Sequence, residues 1–293
     1  MEAITRPAPA KINLALDILR PRPDGYHEMR MVMQSVSLCD TVTLAEAETG
    51  FSLDTGGSFR PEGEKTLEQR AAEAFFQELG RPCPPLAVRL EKVTPAYAGL
   101  GGGSADVAAL LHLLRQRYAP ELPLEALERI GLTVGSDVPF CVRGGAALAE
   151  GRGEILTDLP SLPHCRIVIC KPDVSLSTGE MFARARGRIF QTRPDVDGMA
   201  EALRAGRLER VTKRLCNVFE EVLPPEVKEE IQGLKAALLR CGAMNAAMSG
   251  SGPAVFGIFS SEEEAAAAAE TLGAWCRQTF LTRPLERAES MAV

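Results

Sequence analysis

Aromatic residues are scarce in this sequence, and long apolar runs are missing. Only 5% of the 293 residues are aromatic, whereas 45% are hydrophobic and 25% are charged. Leu, Val, Ile and Ala must therefore fill most of the core of an ordinary globular protein. The length predicts one large domain or two medium domains.

The sequence also lacks metal-binding and export patterns. Its eight cysteines are scattered, with no Cys-x-x-Cys pair and no cluster with histidine, which argues against a zinc site. The first residues carry no signal pattern, and no apolar run reaches the roughly 18 residues that a membrane span needs. We therefore expect a cytoplasmic protein with reduced thiols and no membrane partner.

A strong positive charge is absent as well. The net charge is -6, and no basic tail or stripe is present to replace counterions on nucleic acid. We expect no nucleic-acid partner. An anionic small molecule remains possible, because a few cations and backbone N–H groups in one cleft are enough to bind it.

The pattern of apolar residues predicts an α+β fold with an early meander. Residues 49–64 are a polar, Gly-rich connection that can hold a short edge strand. The Pro-containing segment Leu156–Pro163 marks a boundary between domains 1–160 and 161–293. The main predicted strands are 12–18, 29–36, 41–45, 86–90, 165–171, 246–249, 254–259 and 277–283. The main predicted helices are 66–79, 104–117, 124–130, 177–185, 197–205, 208–215, 225–241 and 262–272.

A glycine-rich loop lies between a predicted strand and a predicted helix. Four of its residues are glycines within five positions, and Ser104 is predicted to cap the helix that follows. Free N–H groups and the helix dipole would bind a phosphate there, although a flexible linker is the alternative. The candidate phosphate-binding residues are Pro95, Ala96, Tyr97, Ala98, Gly99, Leu100, Gly101, Gly102, Gly103, Ser104 and Ala105.

This loop is neither of the two best-known glycine motifs. The sequence has no GxxxxGK[ST], so a Walker A site is excluded. The GxGxxG pattern fails because its third glycine would fall on Ser104 or Asp106. A dinucleotide-binding fold is therefore poorly supported.

Three further features are ambiguous when each is taken alone. Lys11 lies in an apolar strand with Asn13 on the same face, so it either faces solvent or points into a site. Asp137 lies between a Gly-Ser pair and Pro139, where an aspartate often serves as a turn or cap residue. The run 250–253 (GSGP) is either a plain hairpin or a close backbone approach to a ligand.

Lys11 in its strand, the loop PxxxGLGGGS and the late GSGP together resemble the three signature motifs of the GHMP kinases. That group includes galactokinase and the homoserine, mevalonate and phosphomevalonate kinases. The resemblance runs from Pro7 to Phe259. It is most similar to the 4-diphosphocytidyl-2-C-methyl-D-erythritol kinases, a family within that group, in the runs PAPAKINLALDILRPRPDGYHEM, KVTPAYAGLGGGSAD, GSDVPF and GGAALAEGRGE. The discriminating piece is Gly25–Glu28 directly after the first strand.

The resemblance implies a two-domain fold and a phosphoryl transfer. The expected architecture is an N-terminal ribosomal-protein-S5-domain-2-like ATP-binding domain, a C-terminal ferredoxin-like α/β sandwich, and an active site in the cleft between them. The expected reaction moves the γ-phosphoryl group of ATP to the 2-hydroxyl of the cytidyl erythritol substrate. The alternatives are a GHMP kinase with a mevalonate- or homoserine-type acceptor and a non-catalytic nucleotide-binding protein.

The resemblance also assigns roles to individual residues. Asp137 would be the general base and Lys11 its catalytic partner. ATP is the expected co-substrate with Mg²⁺, for which the sequence identifies no ligands. Ala105 replaces the second serine that the family's loop usually has.

Other assignments concern the two ends of the cleft. Tyr26 would stack on the cytosine and His27 would bind its edge, with a packed turn as the alternative. Lys92 would line the nucleotide pocket, unless it is only an exposed lysine at the end of a strand. The remaining substrate-binding candidates are Asn13, Ser251 and Gly252.

Overall fold

The computed structural model describes residues 2–57 and 65–291. Residues 58–64 of the predicted polar connection lie outside them. The strands are β1 (Ile4–Pro21), β2 (His27–Glu46), β3 (Phe51–Asp54), β4 (Leu86–Glu91), β5 (Ala146–Gly151), β6 (Ile155–Leu159), β7 (Arg166–Lys171), β8 (Cys216–Asn217), β9 (Asn245–Met248), β10 (Val255–Phe259) and β11 (Gln278–Thr282).

Ten helices accompany these strands in the part of the chain that the structure describes. They are α1 (Leu67–Glu78), α2 (Gly102–Tyr118), α3 (Leu124–Leu132), α4 (Val138–Arg143), α5 (Thr178–Ala185), α6 (Val196–Arg204), α7 (Leu208–Thr212), α8 (Pro225–Arg240), α9 (Glu262–Gly273) and α10 (Arg287–Met291). A short 3₁₀ helix covers Val218–Glu221. Within these residues, no helix has the length and apolar character needed to cross a bilayer.

The first sheet is built around two long antiparallel strands, β1 and β2. Its order is β3-β4-β2-β1-β8, and β5 pairs with the first half of β2 and with β6. The predicted strands 29–36 and 41–45 are thus one continuous strand. Each half of this strand has its own partner on the side away from β1, namely β5 for the first half and β4 for the second.

The second sheet lies in the other half of the chain. Its order is β11-β7-β10-β9, and every pairing in it is antiparallel. Helices α8 and α9 pack against it and share its apolar core, in which Val255, Phe259 and Leu238 are fully buried.

Two segments of the second half return to the first sheet. β8 pairs with Ala15 and Leu16 of β1, and Pro284 forms a bridge with Val36. The predicted boundary at residue 160 falls between β6 and β7, and it stays a prediction.

Helix α1 shows how the sequence sets an element. The Thr66 hydroxyl accepts a hydrogen bond from the N–H of Gln69, and the fully buried Phe75 faces the core. Gly80 ends the helix at φ +66°, as predicted.

Two local predictions differ from the structure. α2 begins at Gly102 instead of being capped by Ser104, because Gly101 at φ +70° already makes the turn. The segment after Asp137, which is not among the predicted helices, forms α4. Pro139 is tolerated in its first turn because an N–H there has no partner within a helix.

Candidate active site

A cleft of about 940 Å³ lies between the two halves of the chain. Its walls come from β1, the turn before β2, the glycine loop, the start of α4, helix α5 and the turn between β9 and β10. Residues that the sequence places far apart therefore share one concave surface, which is the usual form of a small-molecule site.

The glycine loop forms one wall of this cleft and ends in the N-terminus of α2. Gly99 and Gly101 adopt φ angles of +76° and +70°, a region that only glycine enters at low cost. No side chain caps α2, so the N–H groups of its first turn have no partner within the helix. These donors and the positive end of the helix dipole can bind a phosphate.

Backbone contacts fix the loop from both sides, which excludes the flexible-linker alternative. Lys11 donates its N–H to the carbonyl of Leu100 at 2.9 Å, and the Ser249 hydroxyl donates to the carbonyl of Gly99 at 2.9 Å. A Cβ at Gly99 would lie only 2.1 Å from the carbonyl oxygen of Ser249. The loop is therefore packed directly between β1 and the turn that joins β9 to β10.

Lys11 and Asp137 form an ion pair at the base of the cleft. The Lys11 ammonium lies 3.3 Å from Oδ2 of Asp137 and donates to Oδ1 of Asn13 at 2.7 Å. Its stem packs under the loop, since a Cβ at Gly101 would lie 3.0 Å from Lys11 Cγ. The structure thus brings together both predicted catalytic residues and Asn13.

The structure decides between the alternatives for these two residues. The Lys11 side chain is 4% exposed, so it does not face bulk solvent. Asp137 precedes α4 but makes no capping hydrogen bond with its side chain, which turns towards the cleft and is 32% exposed. A carboxylate that is open to a cleft and paired with a buried ammonium suits proton transfer.

An aromatic and cationic end of the cleft contains Tyr26 and His27. Tyr26 is about half exposed, and the Arg152 guanidinium lies 4.4 Å from its ring centroid. The buried His27 ring stacks on Phe182 at 5.2 Å, and its Nε2 atom has no hydrogen-bond partner in the described residues. Burial, followed by the nearby Arg186 charge, lowers the pKa of His27.

Lys92 also lines the cleft, but it is not a simple exposed lysine. Its ammonium lies 2.5 Å from Oδ2 of Asp40 and 2.5 Å from Oδ2 of Asp106, and its side chain is only 27% exposed. Both carboxylates are buried.

Not every candidate reaches the cleft. Ser251 lines it and hydrogen-bonds Thr178 at 3.0 Å. Ala105 and Gly252 do not line it: the Ala105 N–H bonds the carbonyl of Gly101 within the helix, and a Cβ at Gly252 would meet the Met248 sulfur at 2.4 Å. Ala105 and Gly252 therefore lie beneath the surface that a ligand would contact.

Several lining residues escaped the sequence analysis. Phe182, Arg186 and Thr178 come from the α5 region, whose sequence carries no local sign of a site. Asp40 and Asp106, which bind the Lys92 ammonium, carry no local sequence signal either, because other charged residues also occur in β2 and α2.

Comparisons with known proteins agree on a single group. The model of the GHMP kinases N terminal domain matches residues 66–145, and the model of the GHMP kinases C terminal matches residues 199–278. A 4-diphosphocytidyl-2-C-methyl-D-erythritol kinase of Lachnoclostridium phytofermentans is 38% identical, covering 98% of this chain and 99% of its own. The enzyme of that name from Bacillus subtilis is 38% identical over 96% of both chains.

Solved structures give the same result. A crystal structure of 4-(cytidine 5'-diphospho)-2C-methyl-D-erythritol kinase has a TM-score of 0.79 and 33% identity, covering 96% of this chain and 99% of its own. A homoserine kinase from Cytophaga hutchinsonii has a TM-score of 0.76 at 19% identity, with 98% and 96% covered, and so shows a shared fold only. The predicted α+β fold is confirmed.

Proposed function

This chain belongs to the 4-diphosphocytidyl-2-C-methyl-D-erythritol kinases within the GHMP kinases, and we propose how its own residues carry out the reaction of that family. The enzyme uses ATP to phosphorylate the 2-hydroxyl of 4-diphosphocytidyl-2-C-methyl-D-erythritol. It yields the 2-phosphate and ADP in the methylerythritol phosphate route to isoprenoid precursors. The two-domain GHMP architecture is the frame that holds the site.

The Lys11–Asp137 pair is the observation that carries the proposed mechanism. Phosphoryl transfer requires positioning and charge stabilisation more than covalent help. Asp137 accepts the proton of the attacking 2-hydroxyl, because its carboxylate is open to the cleft and makes no capping bond.

Lys11 serves the same step from the other side. Its buried ammonium, 3.3 Å from the Asp137 carboxylate, stabilises the negative charge that develops on the attacking oxygen. It also neutralises charge on the transferred group. Asn13 holds the ammonium in place through the 2.7 Å hydrogen bond and reaches the substrate from the same strand face.

The phosphates of ATP bind on the glycine loop between Pro95 and Ser104. The uncapped start of α2 and the Ser104 hydroxyl supply the donors. Lys92 lines the nucleotide side of this wall, and Ser251 closes the floor of the cleft. The absence of a second loop serine at Ala105 has little effect here, since that residue lies beneath the surface.

Mg²⁺ accompanies ATP in this proposal. The described residues contain no group of three or more His, Cys, Asp or Glu placed to hold a metal ion. When bound with ATP, the ion would neutralise charge on the β and γ oxygens. We assign no protein ligand to it.

The acceptor binds at the opposite end of the cleft. Its cytosine stacks on Tyr26, and the unpartnered Nε2 of the buried His27 binds the edge of the base. Arg152 and Arg186 line the same end and can neutralise the diphosphate.

Two wider expectations complete the proposal. The eight cysteines are all free thiols, which suits a cytoplasmic enzyme. The partners are ATP and the cytidine diphosphate derivative, with neither nucleic acid nor membrane involved. The net charge of -6 leaves no extended positive surface for binding a polyanion.

Substitution of the catalytic pair tests this mechanism. Lys11→Ala and Asp137→Asn should each lower kcat by roughly 100- to 10,000-fold, measured by coupled ADP release. The first removes the stabilising charge and the second removes the proton acceptor. Lys213→Ala and Asp54→Asn, at exposed positions away from the cleft, are the matched controls. If a correctly folded Asp137→Asn variant kept the wild-type kcat, the assignment of the general base would be wrong.

A further inference from the structure

A buried charge cluster lies beneath the glycine loop. The Lys92 ammonium bridges Oδ2 of Asp40 and Oδ2 of Asp106, each at 2.5 Å. Asp40 is fully buried and Asp106 is 2% exposed. One ammonium thus pairs with two carboxylates. When both are ionised, they more than neutralise the charge of Lys92, and none is left to attract a phosphate.

The two carboxylates are not equivalent. Asp40 uses both oxygens, because its Oδ1 also accepts from the N–H groups of Val93 and Thr94 at 2.6 Å and 2.7 Å. It anchors the chain where the loop begins. Asp106, by contrast, leaves its Oδ1 with no hydrogen-bond partner in the described residues.

A proton fits on that free oxygen. The Thr94 hydroxyl is buried and equally unpartnered in the described part of the chain, so Oδ1 and this hydroxyl are two unsatisfied polar groups of one cluster. An unpaired carboxylate oxygen away from water is costly, and protonation removes the charge. Burial accordingly raises the pKa of Asp106 to about 7, against the opposing effect of Lys92.

The neighbouring elements add further negative charge near Asp106. Asp40 from β2 and the buried Glu68 from α1 both favour the protonated form of Asp106. From α4, the Cys141 thiol lies within electrostatic range of Asp137, Lys11 and Asp106, and burial raises the pKa of that thiol. Lys92 is the cation that faces Asp106 directly.

The cluster lies immediately under the phosphate-binding surface. A Cβ at Gly102 would lie 3.1 Å from Thr94 Cγ2 and 3.7 Å from Oδ2 of Asp40. Asp106 is about one turn further along α2. The three charged groups carry one net negative charge when Asp106 is ionised and none when it is protonated. An anion bound above them would be repelled by the negative charge, so it favours the protonated form of Asp106.

We propose that Asp106 is a positioning residue that takes up a proton from solvent at its free oxygen when a nucleoside triphosphate docks on the loop. The proton leaves Lys92 balanced by Asp40 alone, and no other bond is made or broken. The proposal rests on the proposed function, because it takes the loop as the site of ATP phosphates.

Calorimetry on the wild-type enzyme tests the proton uptake. A non-hydrolysable ATP analogue is titrated at about pH 8 in two buffers of different ionisation enthalpy, where Asp106 is mostly ionised and uptake of most of one proton is expected. Binding with no uptake, or with proton release, overturns the inference and leaves the kinase assignment intact. Absence of any binding contradicts the proposed function itself.

Steady-state kinetics assigns the proton to Asp106. Above about pH 7, the KM for ATP of the wild type should rise, by up to about tenfold per pH unit, because one proton is linked to binding. The isosteric Asp106→Asn should flatten this dependence, while Glu68→Gln, which removes a neighbouring carboxylate, should keep it. An unchanged slope in Asp106→Asn would show that the proton goes elsewhere.

Discussion

Replacing Gly99 with alanine should separate the glycine loop from the turn between β9 and β10. The new Cβ would lie 2.1 Å from the carbonyl oxygen of Ser249 and 2.9 Å from the nitrogen of Gly252, both of which are backbone atoms. Non-bonded heavy atoms settle near roughly 3.5 Å, so the two segments must part by about 1.4 Å. No side-chain rotation can relieve this contact.

The structure allows the size of the effect to be worked out. Gly99 has φ +76°, and a side chain in this region costs about 1–2 kcal/mol. Overpacking adds about 1–3 kcal/mol. The combined loss of about 2–5 kcal/mol should lower Tm by roughly 4–20 °C for a protein of this size.

Activity should fall with stability, because the proposed mechanism has the loop position the reacting phosphates. A displacement of about 1 Å can cost on the order of 100-fold in rate. Differential scanning calorimetry and coupled ADP release measure the two effects. Gly50→Ala is the control: it has φ +59°, nothing lies within 4 Å of its Cβ position, and only the conformational cost remains. Equal stability and activity in the two variants would refute the packing argument.

Three further predictions concern the loop, the acceptor end and the buried cluster. Gly103→Ala should fold normally, because its Cβ would make an ordinary 3.6 Å contact with Leu67. Its KM for ATP should nevertheless rise in steady-state kinetics, because the added methyl group would obstruct a phosphate that approaches the backbone at this position. Tyr26→Ala should raise the KM for the cytidyl acceptor by roughly 5- to 150-fold without changing that for ATP, since stacking is worth about 1–3 kcal/mol. The pKa of Asp106 is raised to about 7 in the folded protein, so its protonation stabilises the fold at low pH. This stabilisation is lost as the pH rises from about 4 to about 7. Urea denaturation should therefore show a smaller loss of stability between these pH values for Asp106→Asn than for the wild type.

Local chemistry explains why much of the site was predictable from the sequence. A glycine run before a predicted helix has few structural solutions, so Gly99–Ser104 alone predicts a turn that leads into a helix N-terminus, where a phosphate can bind. Lys11 and Asp137 were ambiguous one at a time, and only their combination with the loop pointed to a kinase. The structure adds what spacing cannot supply, namely the 3.3 Å separation of the pair.

Tertiary pairing explains what the sequence did not predict. The continuity of β2 depends on two partner strands that are distant in sequence, so a pattern read along the chain divides it. Phe182 reaches His27 only because α5 packs over the turn before β2. Lys92 looked like a simple cation, since nothing near it in sequence shows that Asp40 and Asp106 share its charge.

Acceptor selectivity tests the central claim most directly. Coupled ADP release should be measured with 4-diphosphocytidyl-2-C-methyl-D-erythritol, mevalonate and homoserine in parallel, for the wild type and for Asp137→Asn. The account predicts rapid ADP release by the wild type with the cytidyl erythritol alone, and little release by the variant. Turnover of mevalonate or homoserine, with none of the cytidyl substrate, would contradict it.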